Sequence, residues 1–316
     1  MSFDHSISRR NVFKGAGGLA VASALGAGAA LGATTLAHAA GLDVVEHQTY
    51  GRMEYYKVST PSIAWKPRIN VLLPDGYDSG RRYPVLYLLH GGAQNFMKFD
   101  KEDDIRGLTA GRDLIVVMPD GGIAGWYCNP VTANLGPRNW ETFHIEELIP
   151  WVDATFRTFP EQAGRAVSGF SMGGFGALKY TAKYYGHFAS VSSHSGPASL
   201  RSINGAVAHW ANASSTIDLG GGTVYGTPWD EARVSADNPV ERIESYRGKR
   251  IFLVSGTEAF DVNEGFVLPT QREFAAALDR AGIHYERHEE PGGHFVRRER
   301  LQQDIDGVIA HLRKAG

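Results

Sequence analysis

The stretch Arg165-Ala166-Val167-Ser168-Gly169-Phe170-Ser171-Met172-Gly173 runs from a short apolar segment into a helix-like run, Gly174 to Tyr185. A Gly-x-Ser-x-Gly at such a junction predicts a sharp strand-to-helix turn that lifts a serine hydroxyl to the end of a sheet. The flanking glycines allow a turn that Cβ atoms would block. Glycine makes up 38 of the 316 residues, so the pentapeptide alone is weak, and its setting carries the reading.

Around that junction, short apolar runs alternate with helical patterns. Ile69–Pro74, Val85–Leu89 and Leu114–Met118 have the near-continuous apolar character of strands buried on both faces. Residues 141–157 predict an amphipathic helix through Phe143, Leu148, Trp151, Val152 and Phe156. Further strands are expected at Phe188–Ser193, Ile251–Val254 and Ile283–Glu289, and helices at Thr270–Ala281 and Arg297–Arg313. This order implies an α/β fold with a mostly parallel central sheet and helices on both faces. Thr49–Ser59 and Ile69–Leu73 are joined by a short connection, which predicts an antiparallel opening to the sheet. Residues 196–248, rich in Gly, Ser and Asn, predict an irregular insertion over the strand ends.

The N-terminus reads as an address. Ser8-Arg9-Arg10-Asn11-Val12-Phe13-Lys14 is similar to a bacterial twin-arginine signal. An Ala/Gly-rich stretch, Gly15 to Ala37, and a small-x-small site, Ala37-His38-Ala39, follow it. The expectation is a signal peptide over residues 1–39, a single domain over 40–316, and a secreted or envelope location. A formal net charge of −2 argues against nucleic acid as a partner. The single cysteine, Cys128, excludes an internal disulfide and is expected to be half-buried in a loop. No Cys/His cluster has metal-ligand spacing, so neither a metal nor another cofactor is expected. His284 and His288 read as strand-face residues, and His144 and His187 as helix-surface residues.

In parallel sheets the reactive side chains sit on loops at the carboxyl ends of the strands. Four loops carry the residue types that acyl transfer requires. His90-Gly91-Gly92 follows a strand and can turn a backbone N–H toward the site, where with the N–H of Met172 it would hold an oxyanion. Ser171 is a nucleophile once a base takes its proton. His294, in Pro291-Gly292-Gly293-His294-Phe295, follows the last strand, where a hydrolase of this order places its base. The acid that orients the imidazole would come from the loop after Ile251–Val254, which offers Glu258, Asp261 and Glu264. Trp210, Tyr225 and Trp229 are candidates to line an acyl or acceptor groove, as is Phe170 within the turn.

These segments resemble the antigen 85 mycolyltransferases and the wider esterase D group of α/β-hydrolases over almost the whole region after residue 39. The likeness rests on Trp140-Glu141-Thr142-Phe143 with Glu147-Leu148-Ile149-Pro150-Trp151, on Trp126-Tyr127, on Asp237-Asn238-Pro239, and on Glu264-Gly265-Phe266 with Phe274 ten residues later. The resemblance implies an α/β-hydrolase fold, Glu264 as the acid with Asp261 second, and Gly92 as the second oxyanion donor. It also marks departures. His90 and Ala93 stand where the antigen 85 group carries an aspartate and an arginine that hold trehalose, and Phe295-Val296 replaces a tryptophan after the histidine. His90 and Phe295 thereby join the candidates for substrate binding. The expected chemistry is hydrolysis of a small-molecule or lipid ester through an acyl-serine. The alternatives are transfer of the acyl group to a sugar or glycerolipid alcohol, and a binding protein of the envelope without catalysis.

Overall fold

The computed structural model describes residues 41–78, 80–258 and 260–315. The export signal expected over residues 1–39 lies outside them. Nine strands among the described residues form one sheet: β1 (Asp43–Tyr50), β2 (Met53–Ser59), β3 (Arg68–Leu72), β4 (Val85–Leu89), β5 (Ile115–Pro119), β6 (Arg165–Phe170), β7 (Ser190–His194), β8 (Arg250–Gly256) and β9 (Glu286–Glu290). Their order is β1-β2-β3-β5-β4-β6-β7-β8-β9. Pairing is antiparallel from β1 through β3 to β5 and parallel from β5 to β9.

Side-chain alternation sorts the central strands onto two cores. Tyr87, Leu89, Val117, Val167 and Val191 face one side, while Leu86, Leu88, Val116 and Ala166 face the other. Both sides are covered, which is why β4 to β7 carry no exposed position. The helices are α1 (Lys98–Lys101), α2 (Ile105–Leu108), α3 (Trp140–Thr142), α4 (Ile149–Thr155), α5 (Met172–Lys183), α6 (Ser202–Ser215), α7 (Glu231–Asp237), α8 (Val262–Ala281) and α9 (Arg298–His311). Leu301, Ile305 and Val308 of α9 cover one face, and Phe175 and Leu178 of α5 help cover the other. This is the α/β-hydrolase arrangement expected from the sequence. No helix among the described residues is long and apolar enough to cross a membrane.

Four expectations change. Thr49–Ser59 is not one strand: Gly51, at φ 62°, turns the chain so that β1 and β2 form a hairpin. The helix at 141–157 is interrupted by a π-helical turn, Phe143–Leu148, between α3 and α4. That wider turn brings His144 inside rather than onto the surface. The insertion at 196–248 is not irregular, since it holds α6, α7 and a 3₁₀ segment, Pro239–Tyr246. Val207, Ala208, Ala211 and Ser215 of α6 are buried at helical spacing, a stripe hidden by the small residues that compose it. Finally, Cys128 is fully buried, with Lys179 Nζ 3.1 Å from its sulfur. Burial pushes its thiol up to about 12.

Candidate active site

Ser171 sits between β6 and α5 with φ 55° and ψ −120°, a conformation rarely adopted by a residue with a Cβ. Its N–H donates to the His194 carbonyl at 2.8 Å and its carbonyl accepts from the Phe175 N–H at 3.1 Å. The turn is held on both sides by backbone. A Cβ on Gly169 would lie 2.3 Å from the Gly173 oxygen, and one on Gly173 would lie 2.1 Å from the Leu89 oxygen. Both positions therefore require glycine for space.

His294 reaches the turn from the loop after β9. Its Nε2 lies 2.7 Å from Ser171 Oγ, and its Nδ1 lies 3.2 Å from Glu264 Oε1. Gly256 lets this loop approach, because a Cβ there would lie 2.3 Å from the Gly292 oxygen. Glu264 is fully buried in the first turn of α8, and its Oε2 has no hydrogen-bond partner. Asp261 is the N-cap of α8. Its Oδ1 accepts from the N–H groups of Asn263 and Glu264, and its Oδ2 accepts from the His294 backbone N–H at 3.0 Å. Burial pushes the Asp261 carboxyl up, but these three N–H donors outweigh it and hold it below the ordinary range. The two carboxylates thus address one histidine differently: Glu264 meets the ring and Asp261 the backbone. The spacing Asp261-x-x-Glu264 ahead of a helix was a legible cap signal that would have assigned Asp261 to the helix start.

Gly92 lies across the turn from Met172. Among the described residues neither N–H meets an acceptor, and both residues border a cavity of about 400 Å³ with Ser171 and His294 at its base. Phe170, Trp126, Trp210 and Ile217 supply apolar wall. Trp126 and Trp210 pack edge to face at 5.1 Å. A larger groove of about 600 Å³, bordered by Tyr50, Tyr55, Arg68 and Phe96, contains none of these residues.

Several expected pocket residues lie elsewhere. His90 is buried outside the cavity lining. Its Nε2 accepts the Gly121 N–H at 2.9 Å, so the proton resides on Nδ1, 2.8 Å from the Gly91 carbonyl oxygen. Tyr225 is fully buried with its hydroxyl near the Cys128 sulfur. Trp229 stacks on His209 beside a separate surface depression. Phe295 is half exposed beneath the Arg297 guanidinium, not in the cavity wall. Phe170 and Trp210 do line it. Ile217, Ser214 and Asn263 also border the cavity but carry no sequence signal of their own. Among the described residues no group of three or more His, Cys, Asp or Glu could hold a metal ion.

The family model described as "Putative esterase" matches residues 60–306. The chain is 62% identical over 287 residues to Esterase Rv1288 of Mycobacterium tuberculosis, an alignment covering 87% of this chain and 63% of that protein. It therefore spans less than two thirds of that relative's length. It is 26% identical over 255 residues to the MPT51/MPB51 antigen of Mycobacterium bovis, covering 74% of this chain and 80% of the antigen. Its fold is similar to that of an S-formylglutathione hydrolase from Agrobacterium tumefaciens, with TM-score 0.69, 16% identity, and 85% and 99% of the two chains covered. The chain belongs to the esterase family that this model describes, has the α/β-hydrolase fold, and is similar to the MPT51/MPB51 antigens of mycobacteria.

Proposed function

We propose that this protein is a serine esterase that cleaves carboxylic esters through an acyl-serine on Ser171. The observation that carries the reading is the relay of Ser171 Oγ, His294 and Glu264, at 2.7 and 3.2 Å, at the base of an apolar cavity. His294 Nε2 takes the hydroxyl proton as Oγ attacks the ester carbonyl. The N–H groups of Met172 and Gly92 stabilise the oxyanion of the tetrahedral intermediate. Glu264 Oε1, facing Nδ1, accepts the remaining imidazole proton's hydrogen bond and stabilises the imidazolium. The imidazolium then protonates the departing alkoxide, the alcohol leaves, and a water activated by His294 hydrolyses the acyl-serine. Phe170, Trp126, Trp210 and Ile217 favour an apolar acyl group.

The test is turnover of p-nitrophenyl esters of increasing chain length by residues 40–316, beside Ser171→Ala, with and without added trehalose or glycerol. Serine-dependent release that ignores the alcohol supports the esterase. Acyl transfer to the alcohol would replace it with an acyltransferase. Hydrolysis unchanged in Ser171→Ala, or absent from both proteins, would sink the mechanism, and absence from both would favour a binding protein. Residues 1–39 are proposed to direct twin-arginine export, which Arg9→Lys with Arg10→Lys should abolish in a fractionation assay.

A further inference from the structure

The insertion that carries α6 reaches the oxyanion loop through a buried ion pair. Asp218 lies just after α6, and Arg138 lies just before α3, eighty residues away in the chain. Both side chains are about 1% exposed, and Arg138 Nη1 donates to Asp218 Oδ2 at 2.9 Å. The other carboxylate oxygen, Oδ1, accepts the Ile123 N–H at 3.0 Å. The Ile123 carbonyl in turn accepts the Ala93 N–H at 2.7 Å. Ala93 adopts φ 57° and directly follows Gly92. A residue with a Cβ holds that left-handed conformation only when its surroundings impose it. The same loop is tied a second time, by the His90 ring to the Gly121 N–H and by the Tyr127 hydroxyl to the His90 carbonyl at 2.8 Å.

We propose that Asp218 is a positioning residue: by holding the Ile123 N–H it sets the Ile123 carbonyl that fixes Ala93, and so aims the neighbouring Gly92 N–H at the developing oxyanion. The insertion therefore affects rate as well as the shape of the cavity. The inference rests on the reading of Gly92 as an oxyanion donor. Loss of one such donor typically lowers kcat about 10²- to 10³-fold, and loss of its support should cost part of that.

Arg138 Nε and Nη2 have no partner, so removing Asp218 alone would strand a buried cation. Two paired variants avoid that. Arg138→Met with Asp218→Leu removes charge and acceptor, whereas Arg138→Met with Asp218→Asn removes charge but keeps a carbonyl for Ile123. The Leu pair should lose about 10- to 100-fold in kcat with KM changed less than about threefold. It should also lose affinity for a boronic acid, whose tetrahedral serine adduct places an oxygen in the same hole, by a comparable factor. The Asn pair should recover most of both. Equal kcat in the two pairs, or an effect on KM alone, would refute the positioning role.

Should neither pair fold, amide exchange of the wild-type chain decides. Slow exchange of Ile123 and Ala93 together supports the latch, and fast exchange of Ala93 from the folded protein overturns it. Ser171→Ala measured alongside separates the two levels. If it retains activity, the esterase reading fails. If it is inactive while the Leu pair keeps full kcat, only the positioning inference fails.

Discussion

Replacing Glu264 by glutamine and Asp261 by asparagine should separate two carboxylates that lie three residues apart and both touch His294. Glu264 Oε1 meets the imidazole Nδ1 at 3.2 Å. In Glu264→Gln the negative charge that favours the imidazolium is lost. Where the amide nitrogen faces Nδ1, the ring is also driven to the tautomer with its proton on Nε2, which cannot accept from Ser171. Exchanging the triad carboxylate for its amide lowers kcat by up to about 10⁴-fold, or roughly 5 kcal/mol of transition-state stabilisation. Stability should change by less than about 2 kcal/mol, because the side chain keeps its shape and Glu264 Oε2 already lacks a partner. Asp261→Asn should behave in the opposite way. Its oxygen can still accept from Asn263 and Glu264, while its NH₂ would oppose the His294 N–H now held at 3.0 Å. A loss of about 1–3 kcal/mol in stability is expected, with kcat within about tenfold of wild type. The assay is kcat on a short p-nitrophenyl ester beside urea melts of each variant. If Asp261→Asn falls as far in kcat as Glu264→Gln, or if Glu264→Gln stays within tenfold of wild type, the division of labour is wrong.

Three further outcomes follow from the packing. Gly173→Ala places a Cβ 2.1 Å from the Leu89 oxygen and 2.6 Å from the His90 oxygen, both backbone, so soluble yield should collapse or Tm fall by more than about 10 °C; a wild-type melt would contradict the spatial argument. Burial holds His144 down at about 3, against an ordinary 6.5. Burial pushes Glu141 up, but the Lys179 and Lys183 charges outweigh it and hold it at about 2. Both folded-state values are depressed, so the stability these groups confer is complete above about pH 6.5 and is lost on acidification, first through His144 and below about pH 4.5 through Glu141. Urea melts should show about 2–3 kcal/mol lost to His144 alone by pH 4.5, and a flat stability from pH 7 to 4.5 would refute that burial. Trp210→Ala, which opens the cavity beside Trp126, should shift chain-length preference toward longer acyl esters, read as kcat/KM across the series, and no shift would remove Trp210 from the acyl wall.

The fold was legible where its cause is local. Val85–Leu89 and Ile115–Pro119 are apolar at every position because both faces of the central sheet are covered, and that burial is written into consecutive residues. The Gly-x-Ser-x-Gly turn was local in part: the atoms that exclude a Cβ at Gly169 belong to the turn itself, whereas those at Gly173 belong to Leu89 and His90. The π-turn at Phe143–Leu148 is not legible in the sequence, because one widened turn leaves the apolar stripe almost unchanged while rotating His144 inward.

What the amino-acid sequence determined by itself was the order of strands and helices, the turn that presents Ser171, and a short set of acids and histidines able to join it. Tertiary structure decided which of them meet. Asp261 bends back to cap α8 while Glu264, one turn on, points to the imidazole. His90, Tyr225, Trp229 and Phe295 leave the cavity, and Ile217 enters it. Asp218, which no motif marks, comes to hold Ile123 from ninety-five residues away. Periodicity and turn chemistry act over a few residues and can be read in order along the chain. A hydrogen bond between distant loops depends on how every intervening element packs, and no short stretch of sequence records it.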